Sequence, residues 1–154
     1  MKLSKRYFMK ADDAQRVRMK MGKGCCVLGC LIPIGIIAAL FLSGFFPEGG
    51  RWIVYAPIIL LIMLVYHLYL QQAAMMRLQI GRGYAKSNEH ESVIAALEPF
   101  AYPGTRLFDK TGEANFLLGN AAKEVGEKDF ASYCLRYAST KQGEWAERAK
   151  QLIS

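Results

Sequence analysis

The sequence has little that supports catalysis. Its 154 residues contain two histidines and four cysteines. A structural metal site asks for four ligands, commonly in paired motifs. Cys25, Cys26 and Cys30 have no second pair to answer them, because Cys134 stands alone. "GKG" at 22–24 lacks the Gly-x4-Gly-Lys-Ser/Thr spacing of a phosphate loop. His90 is one histidine among glutamates, and no nucleophile–base pair accompanies it. The expectation is a protein that is not an enzyme and takes no metal or cofactor.

Charge is missing from two long stretches. The 24 residues between Lys23 and Glu48 carry none, nor do the 25 between Arg51 and Arg77. About 20 apolar residues of helix span a bilayer core. We therefore expect transmembrane helices at 25–46 and 52–72, joined by the tight turn "PEGGR". Two buried core helices are the alternative, but too little polar chain remains to cover them. The first run is longer than a signal-peptide core and no small-x-small cleavage site precedes a mature start. "VLGC" at 27–30 has its apolar run on the wrong side of Cys30 for lipoprotein processing.

Positive charge is present but uneven. Residues 1–24 hold eight Lys/Arg against two Asp, while residues 77–154 hold eleven basic against ten acidic residues. The net charge of +7 thus belongs chiefly to a basic juxtamembrane tail, 1–24, and no basic face on a folded domain suggests nucleic acid. Lys and Arg concentrate on the cytoplasmic side of spans. This places both termini in the cytoplasm, and we expect an integral protein of a bacterial inner membrane. Phe45, Phe46, Trp52 and Tyr55 would mark the outer interface, and Tyr66, His67 and Tyr69 the inner one.

In the tail, Leu3, Tyr7, Ala14, Val17 and Met21 form a loose helical stripe among basic residues. Two readings stand level: an amphipathic segment lying on anionic lipid, and a disordered positive-inside tail. Cys25, Cys26 and Cys30 read as small packing residues, with acylation of the juxtamembrane pair as the alternative. His67, near the end of the second span, reads as interfacial.

Residues 73–154 show helical periodicity and almost no strand signal. Breakers at "KSN", "YPGT", "KTG", Gly126 and "QG" delimit helices at about 73–86, 89–100, 112–125, 127–140 and 143–153. "YPGT" has the order of a type II turn. Asn88 followed by Glu91 resembles a capping box. Nothing interrupts the second span, so one helix about 50 Å long is expected from Trp52 to Lys86.

The segment also repeats itself. Setting Gly81 on Gly119 aligns Val93 with Ala131, Leu97 with Leu135 and Phe100 with Ala138, all at an offset of 38 residues. The stretch "LGNAAKEVGEKDFASYCLRYA" resembles the tetratricopeptide repeat: Leu118, Gly119, Gly126, Ala131, Leu135 and Ala138 occupy its signature positions. "IGRGYAKSNEHESVIAALEPF" is a looser match through Ile80, Gly81, Tyr84 and Leu97. The departures are Val93 and Phe100 at small positions, Asn115 where the family often has Trp, and Ala122 where it has Tyr. "GEWAERAKQLIS" suits a closing helix.

With the two apolar runs, the resemblance makes the expected fold an all-α chain, a two-helix transmembrane hairpin followed by a small solenoid of about five helices over 73–154. It also implies protein binding in a groove of Leu78, Arg82, Lys86, Glu113, Phe116, Asn120 and Lys123. There Asn120 would hold a peptide backbone or terminal carboxylate, and Arg82 with Lys86 an acidic segment. The expected function is a membrane-anchored adaptor or scaffold. Its partners would be a protein offering an acidic or C-terminal peptide and anionic lipid at the tail. The alternative is an accessory subunit of a larger respiratory, photosynthetic or transport complex. There Gly29, Cys30, Gly35 and Ala38 would let helices pack closely.

Overall fold

The computed structural model describes residues 3–44, 52–102, 107 and 109–153. Helix α1 runs Ala11–Ser43 and α2 runs Trp52–Lys86. Then come α3 (His90–Leu97) with a 3-10 turn at Glu98–Phe100, α4 (Glu113–Glu124), α5 (Lys128–Ser139) and α6 (Glu144–Ile153). No strand occurs among the described residues. The fold is all-α, and the uninterrupted α2 matches the expected continuous helix. The chain divides into two units, Arg18–Gln72 on its own and the rest, in which Met1–Val17 joins Ala73–Ser154.

In the Arg18–Gln72 unit many of the described apolar side chains are exposed. Ile34, Ile37, Leu40 and Phe41 of α1, and Leu60, Leu61, Met63 and Leu64 of α2, are all exposed. Apolar surface this continuous is suited to lipid or to a partner, not to water. One helix among the described residues is long and apolar enough to cross a membrane, α2 over Tyr55–Lys86. The apolar stretch of α1, Gly29–Leu42, is shorter. The expected first span at 25–46 ends at residues outside the described ones, as do Phe45, Phe46 and the "PEGGR" turn up to Arg51. Gly35 sets the approach of the two helices. A side-chain carbon there would lie 3.1 Å from Ile58 Cγ2.

In the other unit, α3 packs on α4, α4 on α5 and α5 on α6. The core is built from Val93, Ile94, Leu97, Leu118, Phe130 and Cys134, all fully buried. Two glycines let helices close on each other. A side-chain carbon on Gly81 would stand 2.7 Å from Leu97 Cγ, and one on Gly119 would stand 2.8 Å from Leu135 Cγ. Both pairs are related by the 38-residue offset read from the sequence.

The turns repeat as well. At the end of α2, Glu89 N donates to Tyr84 O and Asn88 N to Ala85 O, with Asn88 at φ 57°. At the end of α4, Glu127 N donates to Ala122 O and Gly126 N to Lys123 O, with Gly126 at φ 87°. Each is a Schellman closure around a left-handed residue. This corrects the capping-box reading. Asn88 closes α2 because asparagine tolerates the left-handed region; the N-cap of α3 is instead Glu89, with no side-chain cap hydrogen bond. The "YPGT" turn lies at 102–105, of which 103–105 are outside the described residues.

Candidate partner-binding surfaces

The seven groove residues do not form one open surface. Arg82 and Glu113 meet in a fork: Nε donates to Oε1 and Nη2 to Oε2, each at 2.5 Å. The Glu113 side chain is 7% exposed and that of Arg82 45%. The pair therefore ties α2 to α4 and neutralises both charges. Leu78 is partly buried against the core. Phe116 packs on the Leu135, Ala138 and Ala149 cluster, and its ring lies 5.2 Å from that of Trp145. Lys86, Asn120 and Lys123 remain exposed.

At the α4 N-terminus lies a polar cluster that sequence reasoning missed. Asp109 Oδ1 accepts from Gly112 N at 2.9 Å, and Oδ2 accepts from Asn115 N at 2.8 Å and Asn115 Nδ2 at 2.9 Å. Asn115 Nδ2 also reaches Phe100 O at 3.4 Å. Asp109 and Asn115 are both buried. The carboxylate thereby satisfies amides at the α4 N-terminus that have no intrahelical partner. The signal was an Asp three residues before a helix-opening glycine, in a stretch read only as a breaker. Asn115 is a polar plug held by this carboxylate.

A second surface comes from the tail. Residues 3–10 are not helical, so the loose helical stripe does not extend through them. They cross the helical domain as a strap. Tyr7 is buried in the domain core, with Leu3 and Met9 packed beside it. Ser4 donates to the Glu127 carboxylate from its hydroxyl, and from its amide at 3.3 Å. The Tyr7 hydroxyl reaches Glu127 Oε1 at 3.3 Å. Lys5 pairs with Glu91 and Lys10 with Glu89, each at 2.8 Å. At the start of α1, Asp13 accepts from the Tyr84 hydroxyl. The hydrogen bond from Ser4 holds the Glu127 carboxyl below its ordinary range, and that from Lys10 does the same for Glu89. The partner carboxylate of Glu91 raises Lys5.

The aromatic residues assigned to membrane interfaces sit in the Arg18–Gln72 unit. Tyr55, Tyr66 and Tyr69 are half-buried there. Tyr55 lines an apolar cleft of about 250 Å³ with Gly35, Ile36, Leu40, Ile58 and Ile62. Trp52 opens α2. His67 is exposed and its Nε2 lies 2.7 Å from Gln71 Nε2. Gly35 is used against α2, whereas Gly29 and Cys30 are exposed. Compared with protein-family models, curated proteins and solved structures, the chain finds no match in any of the three.

Proposed function

We propose that the chain is a membrane-anchored adaptor: α1 and α2 form a two-helix transmembrane hairpin, and the helical domain is a tetratricopeptide-like pair of repeats that holds a partner protein on the cytoplasmic side. The observation that carries the repeat reading is the recurrence of contact and turn geometry at one offset. Gly81 meets Leu97 as Gly119 meets Leu135, and Asn88 closes its turn as Gly126 does.

The strap supports the hairpin. Residues up to Val17 and residues from Ala73 onward belong to one unit, so they share one side of any membrane. The chain between them then crosses an even number of times. If α2 spans, α1 spans too, and the bare apolar side chains of α1 agree with this. Spans that return to the basic side give the cytoplasmic placement.

The exposed side chains Lys86, Asn120 and Lys123 are the binding positions in this reading. They favour an acidic segment or a terminal carboxylate. Capture of acidic C-terminal peptides by the intact protein, with and without Lys86, Asn120 and Lys123 changed to Ala, tests it. Loss of capture with retained helicity is expected. Equal capture by the triple variant would remove these residues from the site.

A further inference from the structure

We propose that the domain edge bearing Glu89, Glu91 and Glu127 is a recognition site for an extended basic peptide with an aromatic anchor, and that residues 3–10 fill it in cis as a built-in competitor. Its carboxylates are distinct from the Lys86, Asn120 and Lys123 side chains and have the opposite charge to the two lysines.

The edge is assembled by the repeat. Glu89 and Glu127 both follow the left-handed residue of their turn, and both stand at the start of the next helix. One turn takes Lys10 and the other takes Ser4 and Tyr7. An extended segment therefore meets equivalent carboxylates at successive turns, while Glu91 adds a third contact through Lys5.

The strap is bound as a peptide ligand is bound. It has one deep aromatic anchor, Tyr7, and a rim of exposed charge pairs. Interfaces draw most of their energy from such buried aromatic anchors, and little from exposed pairs. Neighbouring Phe8 is 79% exposed, so the alternating segment offers one aromatic to the domain and one to solvent. The strap backbone reaches the domain through the domain's side chains: Ser4 N donates to the Glu127 carboxylate, and the backbone at Leu3 and Lys10 bonds to the Tyr102 and Tyr84 hydroxyls. Segments held mainly by side chains open at lower free energy than the core.

Competition follows from covalent connection. A short tether gives an effective concentration on the order of millimolar. A free peptide of ordinary affinity therefore does not displace the strap, and the site is closed until the strap is weakened or outcompeted.

The test uses the full chain in nanodiscs. The probe is a fluorescent synthetic peptide with the sequence of residues 3–12. The receptor is a released variant, Tyr7→Ala with Lys5→Glu and Lys10→Glu. The released variant is expected to bind the peptide saturably, about tenfold or more tighter than the wild type does. Binding should fall with salt and vanish with the Tyr7→Ala peptide or when the receptor also carries Glu89→Lys and Glu127→Lys. Hydrogen exchange in the wild type supplies a second reading that needs no variant: residues 3–10 should exchange faster than α4 and α5. A folded released variant that ignores the peptide overturns the proposal. So does a wild-type strap that exchanges only with the whole domain. A third contradicting result is a strap that moves to anionic vesicles while the freed edge takes no peptide.

Discussion

Gly119 and Leu135 are in such close contact that an added side-chain carbon would fall 2.8 Å from Leu135 Cγ and 3.1 Å from Ala131 O. Neither neighbour yields easily, since Leu135 is buried and the other atom is backbone. Gly119→Ala gains about 1 kcal/mol of helix propensity but loses about 1–3 kcal/mol to overpacking. Net destabilisation is expected. The double variant with Leu135→Ala should be less costly than the sum of the singles by about 1 kcal/mol. Thermal melts followed by circular dichroism measure both, and strict additivity would contradict the contact.

The Arg82–Glu113 pair predicts an asymmetry. Removing Arg82 leaves a carboxylate that is nearly buried, whereas removing the charge of Glu113 leaves a guanidinium open to water. Arg82→Ala should cost about 1–3 kcal/mol, and Glu113→Gln less. Arg82→Lys should recover only part, because an ammonium cannot match the fork. Denaturant titration of the three variants decides it, and an equal loss for Arg82→Ala and Glu113→Gln would be inconsistent with the burial.

Asp109 bonds to Gly112 N and to both nitrogens of Asn115. Asp109→Ala strands those donors, with an expected loss of about 1–3 kcal/mol. Lys110→Ala, at an exposed neighbour, should change stability little. Amide exchange should quicken first at Gly112 and Asn115. A variant as stable as the wild type would show that α4 does not depend on this carboxylate.

Burial pushes the Cys134 thiol up to about 12, from an ordinary 9.0. The folded state therefore favours the neutral thiol. Its contribution is complete below the unfolded value of about 9 and is lost as pH rises from there toward 12. Two outcomes are expected. Cys134 should resist thiol reagents at neutral pH until the domain unfolds, and Cys134→Ala should flatten the alkaline loss of stability. Rapid labelling of Cys134 in the folded protein would contradict its placement.

Much of the helical domain was legible because its spacing records packing. Small residues at Gly81 and Gly119, facing Leu97 and Leu135, gave the offset before any contact was known. Asn88 was misassigned because asparagine suits both a helix start and a left-handed helix end, and the choice depends on which helix closes first. The Arg82–Glu113 pair was not legible, since two groove charges look available until the rotation of α2 against α4 brings them together. The strap was hidden for a related reason. Lys5, Tyr7 and Lys10 read as a tail because their partners lie from 79 to 120 residues away along the chain.

Sidedness is the most direct measurement. Single cysteines at Phe8, Gly49 and Ser154, with Cys25, Cys26 and Cys30 changed to Ser, are labelled by an impermeant thiol reagent in sealed vesicles. Positions 8 and 154 should react from one side and position 49 from the other. Labelling of positions 8 and 154 from opposite sides would contradict both the docked strap and the two-span anchor.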